Sequence, residues 1–278
     1  MSAFLLPASF GEEIEWMMNS FYWGSKKNGG WSINWLNWDK MIACNDQGGL
    51  NFRDLEGFNL AMLGKQGWKL LTNSSSLFTR VLKAKYFSIS NFLGANIGHR
   101  PCFTWRSIWS TIRMLSLGYR WKIGDGKDIN VWKNPWIRTR QNLWPTTLSA
   151  INLLNLTVSQ LFNPTTNTWN RDSIATIMNT HDTSDICKLP LPSRTRSDTI
   201  IWNASPNGSY TVKSAYKMCV NISDQLSNYH VPGDWKLIWS LRVLPKIKHF
   251  SWRLLRNISP TRSNLQSRGV HCQSTCVV

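Results

Sequence analysis

Acidic side chains are the scarce component of this 278-residue chain, with 15 Asp and Glu against 32 Lys and Arg and a formal charge of +17. They are also unevenly spread. None occurs between Gly57 and Gly124, where ten basic residues fall, and none between Trp235 and Val278, where Lys236, Arg242, Lys246, Lys248, Arg253, Arg256, Arg262 and Arg268 fall. A solvated helix face ordinarily mixes both signs, so two acid-free basic blocks point to surfaces that meet a polyanion, of which nucleic acid is the commonest. The plainer reading is a soluble basic protein whose helices are merely solvated.

Other absences narrow the field. No run approaches the roughly 18 consecutive apolar residues of a membrane span, so no membrane partner is expected. The opening MSAFLLPASF is broken by Pro7 before a signal-length apolar stretch develops. The six cysteines, Cys44, Cys102, Cys187, Cys219, Cys272 and Cys276, are scattered without a Cys-x-x-Cys pair, which suggests free thiols in a reducing compartment. There is no Gly-x-Ser-x-Gly motif, and the five histidines lie in unrelated contexts; His249, on a basic and apolar helix, reads as a packing residue.

What is present reads mostly as helix. FGEEIEWMMNSFYWGSKK (10–27) carries Ile14, Met17, Met18 and Phe21 at helical spacing behind acids that suit a first turn. Asp54 is placed to cap a helix through Leu60, Leu63, Trp68 and Leu71, and SLFTRVLKAKYF (76–87) separates Leu77, Val81, Leu82 and Tyr86 from its cations. The period changes to two in YRWKIGDGKDINVWKNPW (119–136), around Gly124-Asp125-Gly126, and in TIIWNASPNGSYTVKSAYKM (199–218), around Pro206-Asn207-Gly208. Two β-hairpins are therefore expected. The Gly-Asp-Gly step lacks the third glycine and the βαβ setting of a dinucleotide fingerprint, which argues against a phosphate loop.

Residues 140–195, rich in Asn, Thr, Ser and Pro, read as a linker or loose connection. Further on, Asp234 is placed to cap a short helix on which Trp235, Ile238 and Trp239 share a face, and Pro245 suits the first position of the next. That helix is expected to bury Ile247, Phe250 and Leu254, with Trp252, and to leave Lys246, Lys248, Arg253 and Arg256 to water or phosphate. Thr261 caps a last helix that Gly269 ends. Seventeen tryptophans are expected chiefly in the core, with stacking on exposed bases as the alternative for any that face solvent.

At this point the ordered blocks FYWG, INWLNWDKM, GGLNFRDLEGFNLAMLGKQGWKLL, LKAKYF, WRSIW, WKIGDGKDINVWKNPW, GSYTVKSAY and WKLIWSLRVLPKIKHFSWRLLRNISPTRSNLQSRGV resemble a known family. They are similar, in order and spacing, to the region after the polymerase core in reverse transcriptase-like proteins of plant LINE-type (non-LTR) retrotransposons, continuing into the start of that family's reverse transcriptase zinc-binding domain. The expected fold is α+β, mostly helical with two β-hairpins and a truncated zinc-binding domain at the C-terminus. Its segments would be a helical thumb-proximal and connection region (1–90), a hairpin-containing connection and linker (91–195), and the truncated zinc-binding domain (196–278).

The resemblance implies zinc as the family's metal, held by a Cys-x-x-Cys pair after an Arg-Gly step and by a His and a Cys further on. Cys276 falls at the first of those ligands and the second would fall one residue past Val278, so an incomplete site and no cofactor are expected. The chemistry agrees, because a structural zinc needs four ligands and His271 and Cys272, as sequence neighbours, seldom converge on one ion.

Polymerases of this kind hold two metals on paired aspartates; no Asp-Asp pair occurs here, and the RNase H domain that often follows is absent from the sequence. The expectation is a non-catalytic fragment related to RNA-directed DNA polymerases. Its partners would be RNA or DNA without sequence preference, met by the eight basic residues of the last block, and a polymerase core. The alternative is a structural or interaction module, or a decayed reading frame without biochemical activity.

Overall fold

The computed structural model describes residues 3–24, 32–138, 143–149, 151–163, 166, 168–191, 196–222 and 231–273. Helices dominate: α1 Ala8–Tyr22, α2 Trp38–Ile42, α3 Leu55–Thr72, α4 Leu77–Tyr86, α5 Phe103–Trp109 and α6 Ile112–Gly118 precede strand β1, Tyr119–Lys122. Then follow α7 Arg171–Ile177, α8 Thr180–Cys187, strand β2 Thr199–Trp202, α9 Val212–Ile222, α10 Trp235–Ser240, α11 Pro245–Leu255 and α12 Arg262–Ser267. The class is α+β, as expected. Among the described residues no helix is long and apolar enough to cross a membrane. The chain forms two compact units, residues 3–62 with 219–278 and residues 63–218, so the division falls within α3 and α9.

The first unit joins the two ends of the chain around Trp23, Trp38, Met41, Leu50, Trp235, Ile238, Trp252 and Ile258. The Trp252 indole N–H donates to the Gly48 carbonyl at 2.9 Å across 204 residues, and the Trp235 indole donates to the Val231 carbonyl at 2.7 Å. Gly48 sits at φ +88°, where a Cβ would come within 2.9 Å of the Trp235 ring, so both conformation and space call for glycine. Asp54 caps α3 by accepting the Glu56 and Gly57 amides at 3.1 and 2.9 Å. Helix α1 begins at Ala8, earlier than its acids suggest, and no acidic residue lies in its first turn.

The second unit holds a core of Ile129, Val131, Trp136, Val158, Leu161, Ile174 and Ile186. It also carries the stacked pair Tyr86 and Trp105, with centroids 4.6 Å apart and planes 3° from parallel. Gly67 lets α3 approach α6 closely, because a Cβ there would lie 2.6 Å from Leu115 and 2.7 Å from Thr111.

The expected hairpins are replaced by a pairing between them. Strands β1 and β2 run antiparallel, with Tyr119 opposite Trp202 and Lys122 opposite Thr199, and they form the one sheet among the described residues. The reason lies in Asp198, whose buried carboxylate accepts the amides of Gly124 (2.6 Å), Gly126 (3.0 Å) and Asp128 (3.0 Å). The Gly-Asp-Gly loop therefore wraps a carboxylate instead of turning one strand onto the next. The Pro206-Asn207-Gly208 turn does form, with Gly208 at φ +74° and its amide on the Ser205 carbonyl, but no second strand follows it.

Residues 140–195 also depart from expectation, since two helices lie in them. Their polar residues are caps: Asn170 accepts the Ser173 amide, Asn179 accepts the Asp182 amide, and Ile174 and Ile186 enter the core. The buried Asp182 accepts the amides and hydroxyls of Thr146 and Thr147 at 2.6–2.9 Å. Burial pushes its carboxyl up, but these hydrogen bonds outweigh burial and hold it below the usual aspartate value.

The largest correction concerns α11. Trp252 is fully buried, whereas Ile247, Phe250 and Leu254 are 44, 59 and 49% exposed. Basic groups turn inward beside Trp252: the Arg253 guanidinium lies over the Tyr22 and Trp23 rings, 5.7 and 5.2 Å from their centroids, and Lys248 donates to the Trp239 carbonyl at 2.9 Å. A planar guanidinium on an aromatic face and a lysine stem along apolar surface are as compatible with packing as an aliphatic side chain is. Periodicity alone does not distinguish the two faces.

Candidate nucleic-acid interface and metal centre

The eight basic residues of the last block occupy two kinds of position. Lys236 on α10, Arg242 between α10 and α11, Lys246 in the first turn of α11 and Arg268 after α12 are exposed. Lys248, Arg253, Arg256 and Arg262 are half-buried. The second set is drawn toward the interior: burial pulls Arg256 below the usual guanidinium value, and the Arg253 Nε and Arg262 Nη1 atoms are buried with no hydrogen-bond partner among the described residues. His249, opposite the Trp239 ring at 5.6 Å, is pulled below the ordinary imidazole value by burial and then by the charge of Arg253. A neutral imidazole packed on an indole is what its position in α11 supports.

Helix α12 presents Arg268 to a distant loop. Thr261 caps it by accepting the Asn264 amide at 3.3 Å, and Gly269 ends it at φ +80°. Arg268, the last helix's C-cap, donates from Nη2 to the Trp35 carbonyl at 3.1 Å and sets its guanidinium 5.9 Å from the Trp35 ring centroid. Sequence reasoning named Arg268 but not Trp35, because 233 residues separate them.

Only some of the cysteines and histidines considered as zinc ligands lie among the described residues. Cys276 lies outside the described residues. Among the described residues no group of three or more His, Cys, Asp and Glu side chains converges. His271 is exposed, and the Cys272 thiol donates to the Arg262 carbonyl at 3.5 Å. Fewer side chains than the four ligands of a tetrahedral zinc site therefore converge among the described residues. Cys219 is no better suited, since burial, then the neighbouring Asp54, pushes its thiol up to about 11.

The "zinc-binding in reverse transcriptase" family profile matches residues 210–278, which covers α9 through α12. The uncharacterized mitochondrial protein AtMg00310 of Arabidopsis thaliana is 36% identical over 146 residues, 52% of this chain and 94% of that protein. The chain belongs to the reverse transcriptase-like family of plant retrotransposons. A second member from Arabidopsis thaliana, named "Putative ribonuclease H protein At1g65750", is 27% identical over 298 aligned positions, spanning all of this chain and 45% of that protein. The chain thus spans less than half the length of this relative. No solved structure matches. Within the family, α10–α12 and their basic residues belong to the part named for zinc binding.

Proposed function

We propose that this chain is a non-catalytic part of a LINE-type reverse transcriptase that holds RNA or DNA without sequence preference. The observation that carries this reading is the acid-free zinc-domain block with Lys236, Arg242, Lys246 and Arg268 exposed on it. Such contacts release counterions from phosphates, so affinity falls steeply and log-linearly with salt. A mobility-shift series from about 50 to 200 mM salt tests this, with a slope near −3 to −4 for four phosphate contacts on duplex DNA. No shift at the lowest salt, or a shift insensitive to salt, overturns it. Zinc, in this proposal, is the metal of the family's domain, with Cys276 among its ligands.

A second reading, an interaction module, is favoured by the apolar surface on α10 and α11. Leu237, Leu244, Ile247, Phe250, Leu254 and Leu255 are all exposed there, a cluster of the kind that marks protein contact surfaces. In the first reading the partner at this surface is a polymerase core. Concentration-dependent self-association or capture by a separately purified polymerase core supports the module; a monodisperse monomer that ignores the core counts against it.

A further inference from the structure

Helices α1 and α2, the loop before α2 and the end of α12 border an open cleft of about 380 Å³, within the roughly 300–1,000 Å³ range of small-ligand pockets. Its polar lining is Asn19 from α1, Asn34 and Asn37 from the loop before α2, Lys40 from α2 and Arg268 from the end of α12, with Trp35 as its aromatic wall. We infer that this cleft takes one unstacked nucleotide, its phosphate on Lys40 and Arg268 and its base against Trp35 and the amides.

Three observations converge on that class of ligand. Two cations and no carboxylate line the cleft, which selects an anion. Trp35 and the Arg268 guanidinium, 5.9 Å from its ring, present the planar surfaces on which an unstacked base rests. Asn19 is only 8% exposed, and its Oδ1 accepts the Trp23 indole at 3.0 Å, while no described residue accepts from its Nδ2. That amide nitrogen lines the cleft, where it can donate to a ligand. Asn34 and Asn37 supply the paired donor and acceptor edge that reads a base, which inorganic phosphate does not use. Arg268 reaches this cleft from the basic block, so a strand held by that block has a path to it.

The inference rests on the nucleic-acid reading, and its test separates the two. The full chain is titrated with UMP, AMP and inorganic phosphate at about 150 mM salt, where exposed-charge steering is largely screened, with binding read by calorimetry and by tryptophan emission. The expected result is saturable nucleotide binding, with inorganic phosphate about tenfold or more weaker. Asn37→Asp places a carboxylate in the cleft and keeps a good N-cap residue on α2, where Asn37 makes no side-chain cap bond. It should weaken the nucleotide about tenfold or more at an unchanged melting temperature, and Trp35→Ala should do the same while abolishing the emission change. Equal affinity for phosphate and nucleotide, nucleotide binding unaffected by Asn37→Asp, or no binding at about 5 mM overturns the inference. Polymer binding that keeps its salt slope in Asn37→Asp while mononucleotide binding is lost supports a distinct cleft. Mononucleotide binding by a chain that shifts no polymer supports the cleft and overturns the proposed function instead.

Discussion

The two compact units hold their distant segments together with different side chains. In residues 63–218 buried carboxylates gather donors: Asp198 holds three amides of the 124–128 loop, and Asp182 holds Thr146 and Thr147. In the unit made of the chain ends, indoles and cations gather carbonyls and rings: Trp252 on Gly48, Trp235 on Val231, Lys248 on Trp239, Arg253 on Tyr22 and Trp23. Within the unit of the chain ends, the block 235–278 carries no acid of its own. Trp252, Lys248 and Arg253 of that block are fixed on backbone oxygens and π faces, and Arg253 lies over two rings while Ile247, Phe250 and Leu254 of the same helix are exposed.

The contrast breaks most severely at Trp252. Trp252→Ala removes a fully buried indole and orphans the Gly48 carbonyl, an expected loss of about 3–5 kcal/mol; amide exchange should show the opening confined first to residues 3–62 and 231–273. Asp198→Ala does the converse, leaving three loop amides without their acceptor at a cost of about 3 kcal/mol, with protection lost in 119–136 and 199–202. If both substitutions melt the chain identically by exchange, the two units are not separate in their energetics.

A pH experiment sharpens the comparison further. The His249 value in the folded chain lies below the ordinary 6.5, so the unfolded chain binds the proton more readily. Its contribution is complete above about pH 6.5 and is lost as the pH falls through that value toward the folded one. His249→Gln should flatten the melting temperature between about pH 5 and 7 relative to the parent, and an unchanged slope would place the titrating group elsewhere. The smallest effect is expected at Phe250. Because its ring is exposed, Phe250→Ser should alter stability by about 0.5 kcal/mol or less, while a loss of several kcal/mol would mean that this face packs inward after all.

Local signals were legible where they act within a few residues. The caps Asp54 and Thr261, Pro245 at the start of α11, Gly269 at the end of α12 and the Asn207-Gly208 turn all stand where the sequence puts them, because each is satisfied by neighbours in the chain. The Asn- and Thr-rich stretch was misread for a related reason: the residue types that fill linkers also cap helices, and only the buried Ile174 and Ile186 tell the two apart.

Charge distribution, helix caps and membership in the reverse transcriptase-like family were determined by the sequence alone, since each depends on residue identity and near spacing. Tertiary structure decided which face of α11 turns inward, that β1 pairs with β2 across about eighty residues, and that Arg268 meets Trp35. Amphipathic periodicity says that a helix has two faces, but an arginine that finds an aromatic ring can make the charged one the buried one. Which rings are within reach depends on contacts between distant parts of the chain, and those exist only in the folded state.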